Sequence, residues 1–297
     1  MPLKIEPILP RFGAELSGVD LTQPLDADTA GAIRQAQHEW GVTIWRDTGL
    51  TDESHVAFSR IFGDLFSAPK MLAKSRFALP EMFDAGNLDQ NGAIVSDERT
   101  RLHMRGDRLW HTDTSFMAQK SGWSLLRCVE APPEGGATWF ADARSAYDDL
   151  PQAMKDRLEG LEAEHAHAWS RKRAGMTYTE ADIDAMPAVR QPVVLTHPIT
   201  GRKTLYVASH ARDIVGMDRA EGRGLIDELI GWITQPQYVF SITYQPGDLS
   251  IWDNLASLHR GGDYDDVNHR RDMRRTTINE SGPETSAYEW MGLADAA

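Results

Sequence analysis

The strongest constraint on the fold is a short segment and one distant residue. The segment is Leu109-Trp110-His111-Thr112-Asp113-Thr114-Ser115-Phe116, and the residue is His259, far downstream. An imidazole and a carboxylate stand two positions apart, and in a strand such residues point to the same side. Two histidines and one carboxylate can hold non-haem Fe(II) on one face and leave other positions open. Donors roughly 2 Å from a shared ion must converge, and ligands from one short segment would hold it weakly. The chain therefore needs a fold that returns residue 259 to residue 111, and a barrel brings together strands that are far apart in sequence. Taken alone, His-x-Asp is a weak signal among 10 histidines. His165 and His167 offer a second His-x-His pair, His197 and His210 read as scaffold or pocket wall, and His103 and His269 read as solvent-facing.

The remaining chain alternates short apolar runs with turn signals. Strands are expected at residues 3–9, 42–45, 123–129, 137–141, 193–195, 205–207, 238–244, 249–252 and 276–278. Helices are expected at 28–40, 51–62, 142–158 and 224–234, from their 3.6-residue apolar spacing and composition. Residues 165–187 are polar and show no clear period. Many short strands with a few outer helices predict a mainly β fold, a double-sheet barrel or sandwich. Residues 1–297 read as a single domain. From 69 to 106 the periodicity fails among Gly86, Asn87, Asn91 and Gly92, and a loop of that length suggests a cover over a site.

Composition narrows the function. The formal net charge of −13 argues against nonspecific nucleic-acid binding, which needs local positive charge. It still permits a small anionic organic substrate held by a few focused arginines. The single cysteine, Cys128, rules out an intrachain disulfide and a thiolate metal cluster, as expected in a reducing compartment. No run approaches a membrane span, and Arg11 and Glu15 interrupt any secretory signal. A cytoplasmic protein is expected. Dinucleotide-binding, phosphate-loop and serine-hydrolase motifs are absent.

Four motifs occur in order: WHTDTSF from Trp110, GGATWF from Gly135, GDLSIWDNLASLHR from Gly247 and RRDMRRTT from Arg270. Together they resemble the taurine and 2,4-dichlorophenoxyacetate dioxygenase family, over about residues 3–280. The resemblance implies a double-stranded β-helix (jelly roll) with helices outside, and an enzyme using Fe(II) with 2-oxoglutarate and O₂ as co-substrates. By motif, His111, Asp113 and His259 match the iron ligands. Thr138 and Arg271 match residues that bind 2-oxoglutarate, and Arg275 matches one that binds the anionic group of the primary substrate. Ser115 falls at a pocket position. The family precedent also implies a homo-oligomer, dimer to tetramer.

The residue chemistry is compatible with these roles. 2-Oxoglutarate is a dianion whose far carboxylate needs an anchor, and arginine offers a planar fork of two N–H donors. Arg271 and Arg275 on an extended stretch would share a face, with Arg270 and Arg274 turned to the surface. The run Gly106-Asp107-Arg108-Leu109-Trp110-His111 is most similar to the aryloxyalkanoate branch, although Asp107 stands where that branch commonly has asparagine. The implied reaction hydroxylates the carbon beside an ether oxygen and releases a phenol. The alternative is oxidation of a taurine-like sulfonate or an alkyl sulfate ester. Met71, Leu72, Phe77, Met82 and Phe83 could line an apolar pocket, and Lys74 could hold a carboxylate; ordinary loop packing explains them equally well.

Overall fold

Asp26 starts the first helix, Ala27–Trp40, by accepting a hydrogen bond from the Thr29 N–H (2.7 Å). Gly41, at φ 71°, ends it and lets the chain turn directly into the wholly buried strand Val42–Trp45. The computed structural model describes residues 2–67 and 76–280.

The strand Val42–Trp45 enters a seven-stranded sheet. Its order is Lys4–Pro7, Ala14–Ser17, Val42–Trp45, Leu249–Asp253, Ser121–Glu130, Asp272–Asn279 and Phe83–Asp84. The central strand Leu249–Asp253 is buried along its whole length and pairs antiparallel on both sides, with Trp252 opposite Val42 and Ser124. A three-stranded sheet of Val239–Ile242, Thr138–Asp142 and Ser257–Gly261 faces it. Ile44, Leu126, Trp252 and Met273 from the first sheet pack against Phe140, Phe240 and Ile242 from the second. On the other side of the large sheet, Ile33 and Ala36 of the first helix meet Leu125, Leu249, Ile251 and Ile278. Leu225, Ile226 and Leu229 of the helix Arg219–Ile233 bury into a further cluster with Leu205, Val207 and Ile214.

The expected mainly β double-stranded β-helix, or jelly roll, is corrected by this topology. The described strands divide into the seven-stranded sheet, two three-stranded sheets and a two-stranded ribbon; none closes into a barrel. Helices accompany the strands throughout, so the fold is mixed α/β. Period-two patterning marks which segments are extended but not which segments they pair with. The polar stretch 165–187 also hides two helices, His167–Arg173 and Glu180–Ala185. Thr179 and Asp182 close a capping box on the second. The expected helix 142–158 is two, Ala143–Asp148 and Gln152–Leu158, parted near Pro151.

Residues 69–75 of the expected cover, including Met71, Leu72 and Lys74, lie outside the described residues. From 76 onward the segment is partly regular. Phe83–Asp84 pairs with Arg274–Arg275, and Leu88 bridges Ile94. Asp97 caps the helix Glu98–Met104. Among the described residues, no helix is long and apolar enough to cross a membrane.

Candidate metal centre

His259 lies on the strand Ser257–Gly261, opposite Phe140. It exchanges two backbone hydrogen bonds with His111, N–H to O at 2.8 and 2.9 Å, in an isolated antiparallel bridge. That bridge joins the two distant parts of the sequence. His111 and Asp113 do not lie on a regular strand, which corrects the expected alignment. The chain leaves the bridge after His111 and turns, with Thr114 at φ 57°. The turn brings the Asp113 carboxylate within 4.0 Å of both Nε2 atoms.

Asn254 fixes the turn. Its carbonyl oxygen accepts from the Thr112 hydroxyl (2.5 Å), and its side-chain oxygen accepts from the Asp113 N–H (3.2 Å) and the Trp252 indole N–H (2.9 Å). Its amide donates to Ser124 Oγ (3.0 Å), and the Ser124 hydroxyl donates to Asp113 Oδ2 (2.7 Å). Asn254 falls inside the third motif and Ser124 in an ordinary strand run, but their role here comes from strands that pair only in the fold.

Nε2 of His111 lies 4.0 Å from Asp113 Oδ1, and Nε2 of His259 lies 3.9 Å from Asp113 Oδ2. One ligand atom from each of the three residues lies within 4.8 Å of the others, and all three residues are buried. Nδ1 of His111 sits 2.8 Å from the Leu109 carbonyl. It therefore carries the ring proton and leaves Nε2 as a lone pair. Among the described residues neither Nε2 has a hydrogen-bond partner. Burial pushes His259 well below the ordinary imidazole value, reinforced by His111 and opposed by Asp113, so the ring is neutral as a ligand must be. Burial alone would raise the Asp113 carboxyl. The Arg275 guanidinium, and then the hydrogen bond from the Ser124 hydroxyl, hold the group well below the usual carboxylate range. The neutral His259 ring, the Nε2 of His111 and an ionised carboxylate fit a divalent iron ion.

Thr138 is buried on the neighbouring strand. It pairs with Gly261 while Phe140 pairs with His259, so Thr138 and His259 share a face of the sheet. Arg271 is buried just before the strand Asp272–Asn279. Its Nη1 donates to the Ala85 carbonyl (2.8 Å) and its Nε to the Gly136 carbonyl (3.3 Å). A register shift between Asp272 and Met273 separates it from Arg275. Arg275 reaches instead to the triad, where Nη1 donates to Asp113 Oδ1 (2.8 Å). Arg270 pairs with exposed Glu130, whereas Arg274 is held by Asp52 and Asp272. Ser115 is buried, with Oγ 3.4 Å from Nδ1 of His210. The His210 ring lies 6.0 Å from that of His111.

A second trio, His38, His197 and Asp253, also brings donor atoms within 4.8 Å. Its wiring differs. Nδ1 of His197 accepts from the N–H groups of Ile199 (3.2 Å) and Thr200 (3.1 Å), so the ring proton sits on Nε2, which donates to Asp253 (3.0 Å). That nitrogen has no lone pair for a cation.

Similarity to known proteins agrees with this geometry. The chain is 38% identical over 281 residues to the alpha-ketoglutarate-dependent 2,4-dichlorophenoxyacetate dioxygenase of Cupriavidus pinatubonensis, covering 93% of this chain and 98% of that protein. It is 32% identical over 274 residues to the (S)-phenoxypropionate/alpha-ketoglutarate-dioxygenase of Sphingobium herbicidovorans, covering 88% and 90%. The crystal structure of AAD-2 in complex with Mn(II) and N-oxalylglycine superposes with a TM-score of 0.86 at 35% identity, covering 96% of this chain and 100% of that one. The family model for the taurine catabolism dioxygenase TauD, TfdA family matches residues 4–277. This chain therefore belongs to that family, and is an Fe(II)- and 2-oxoglutarate-dependent dioxygenase.

Proposed function

We propose that the enzyme hydroxylates the carbon beside the ether oxygen of an aryloxyalkanoate-like carboxylate. One atom of O₂ enters the substrate and the other enters succinate, as 2-oxoglutarate loses CO₂. The hydroxylated carbon is a hemiacetal, which collapses to a phenol and a carbonyl acid. The observation that carries the reading is the convergence of His111, Asp113 and His259 with Arg275 on the same carboxylate. The two relatives that act on phenoxy acids support the substrate class.

In this reading His111, Asp113 and His259 hold the iron through their two Nε2 atoms and a carboxylate oxygen. Bound iron, with 2-oxoglutarate and O₂, supplies the oxidising power that breaks the substrate C–H bond. The protein's residues orient and shield that chemistry. Arg271 anchors the far carboxylate of 2-oxoglutarate with its remaining N–H donors, and Thr138 orients the near end. Arg275 turns from Asp113 toward the substrate anion, and Ser115 contributes to the pocket. Lys74, outside the described residues, belongs to the same proposal as a second substrate contact. So does a single domain over 1–297 with a cover at 69–106.

Anaerobic addition of Fe(II) and 2-oxoglutarate should give a weak visible charge-transfer band that is lost in His111→Ala. Phenol release from phenoxyacetate and chiral phenoxypropionates, measured beside sulfite or sulfate release from taurine and alkyl sulfates, then sets the substrate. Sulfur release without phenol release would replace this proposal with the sulfonate or sulfate-ester reading.

A further inference from the structure

Asp107, the residue that departs from the aryloxyalkanoate pattern, has a partner that the metal chemistry leaves unexplained. Its carboxylate accepts from Nη2 of Arg171 (2.9 Å), while Nη1 of Arg171 donates to the His103 carbonyl (2.8 Å). The guanidinium lies against Gly106, where an added Cβ would come within 1.6 Å of Nη1, so only glycine admits this packing. Fixed at both ends, Arg171 donates its Nε–H to Nε2 of His167 (3.0 Å).

That bond determines the state of His167. Arginine has no acceptor, so the Nε2 facing it must carry a lone pair and the ring proton must sit on Nδ1. Burial, and then the Arg171 charge, pushes His167 down to about 4, which keeps the ring neutral near pH 7. Among the described residues Nδ1 has no hydrogen-bond partner, and His167 is only partly buried. Its ring lies 4.9 Å from Phe116 and 6.1 Å from His210. Phe116 is 4.8 Å from His210, which is 6.0 Å from the iron-ligand candidate His111. These ring contacts run in series from the metal centre to His167; on the proposed reading they wall the substrate space and put one uncharged N–H on it.

We infer that His167, held in a single tautomer by Arg171 and Asp107, is a specificity-determining hydrogen-bond donor for an oxygen acceptor on the primary substrate. The inference rests on the proposed reading of the triad as the reaction centre. A neutral donor on an apolar wall favours a carboxylate or ether oxygen. It disfavours an ammonium group, which would place donor against donor and leave both unpaired. An aryloxy acid presents only acceptors to this donor, whereas a small amino-sulfonate also presents an ammonium, so the wall favours aryloxy acids. Arg171 and Asp107 are positioning residues that act through His167.

Two measurements test this. The first uses the full chain loaded with diamagnetic Zn(II) and reads the imidazole ¹⁵N shifts of His167. The Nδ1–H tautomer is expected, with no protonation as pH falls from 7 to about 5. The Nε2–H tautomer, or titration near the ordinary histidine value, overturns the inference. The second compares variants on whichever of phenoxyacetate, an alkyl sulfate or taurine the wild type turns over fastest. His167→Leu should raise KM for that substrate about tenfold or more, with kcat and the 2-oxoglutarate KM within about twofold. His167→Gln, which keeps an N–H donor, should recover part of the loss. Arg171→Leu should add little in the His167→Leu background. An unchanged substrate KM in His167→Leu, or a parallel rise in the 2-oxoglutarate KM, refutes the role. If taurine is turned over fastest, the selectivity argument fails. If no compound is turned over, the substrate reading falls and the tautomer measurement alone decides.

Discussion

Arg275 donates a 2.8 Å hydrogen bond to Oδ1 of Asp113, while Ser124 holds Oδ2 at 2.7 Å. Both oxygens of the carboxylate therefore have partners, and the arginine faces the same carboxylate that faces Nε2 of His111 and His259. On the proposed reading, an ion held by Asp113 would compete for this carboxylate and free the guanidinium for the substrate anion. Arg275→Leu should accordingly raise KM for the anionic substrate about 10- to 100-fold, the range for losing a charge-assisted hydrogen bond. The 2-oxoglutarate KM should stay nearly constant in a succinate-formation assay. A rise in both together would contradict the assignment.

Arg271 should give the opposite pattern. Its guanidinium is held by the Ala85 and Gly136 carbonyls, so it is already set in place for the 2-oxoglutarate carboxylate that the proposed reading assigns to it. Arg271→Leu should raise the 2-oxoglutarate KM about 10- to 100-fold and leave the primary substrate's KM much less affected. Arg271→Lys should restore only part of the loss, because an ammonium lacks the planar fork.

Gly86 packs directly on the backbone that leads into this anchor. A Cβ there would lie 2.0 Å from the Arg271 carbonyl oxygen, and backbone cannot yield as a side-chain tip can. Gly86→Ala should destabilise the protein by about 1–3 kcal/mol, seen as a lower urea midpoint. It should also weaken 2-oxoglutarate binding. Wild-type stability with normal affinity would show that the strand shifts freely.

Buried histidines contribute to the acid sensitivity, His55 and His165 among them. Burial lowers His55 and His165 to about 3, against about 6.5 in the unfolded chain. The unfolded state then binds more protons as pH falls, so stability is full above about pH 6.5 and declines toward pH 3. Between pH 7 and 5 each histidine should remove about 2 kcal/mol. Urea unfolding at the two pH values should show the decline, and His165→Leu should flatten it. An unchanged slope in that variant would refute the contribution of His165.

Cys128 should be chemically silent in the native state. It is fully buried on the strand Ser121–Glu130, and burial pushes its thiol up to about 11, so little thiolate exists near pH 7. Native protein should resist thiol reagents and react at one site per chain once unfolded. Rapid labelling of the folded protein would show that the strand opens.

The candidate metal ligands were legible in the sequence because the chemistry restricts which residues can perform it. His111, Asp113 and His259 are donor types suited to Fe(II), and the four ordered motifs marked them. Helix ends were legible where local groups satisfy the backbone, as with Thr51 at the start of the helix Asp52–Ser59 and Gly41 after Ala27–Trp40. The architecture was not. The short apolar run at 249–252 read as extended, but nothing in it says that the strand Leu249–Asp253 lies between Val42–Trp45 and Ser121–Glu130, and the expected jelly roll gave way to separate sheets with helices between them. The links that Asn254 and Ser124 make, and those among Asp107, Arg171 and His167, were invisible for a related reason. A hydrogen bond between residues distant in sequence leaves no periodic trace. The sequence by itself determined which atoms can bind iron, since that depends on residue type. Only the tertiary structure decided how those atoms are held, which tautomers they adopt and what faces them, because these follow from strand pairing and burial across the whole chain.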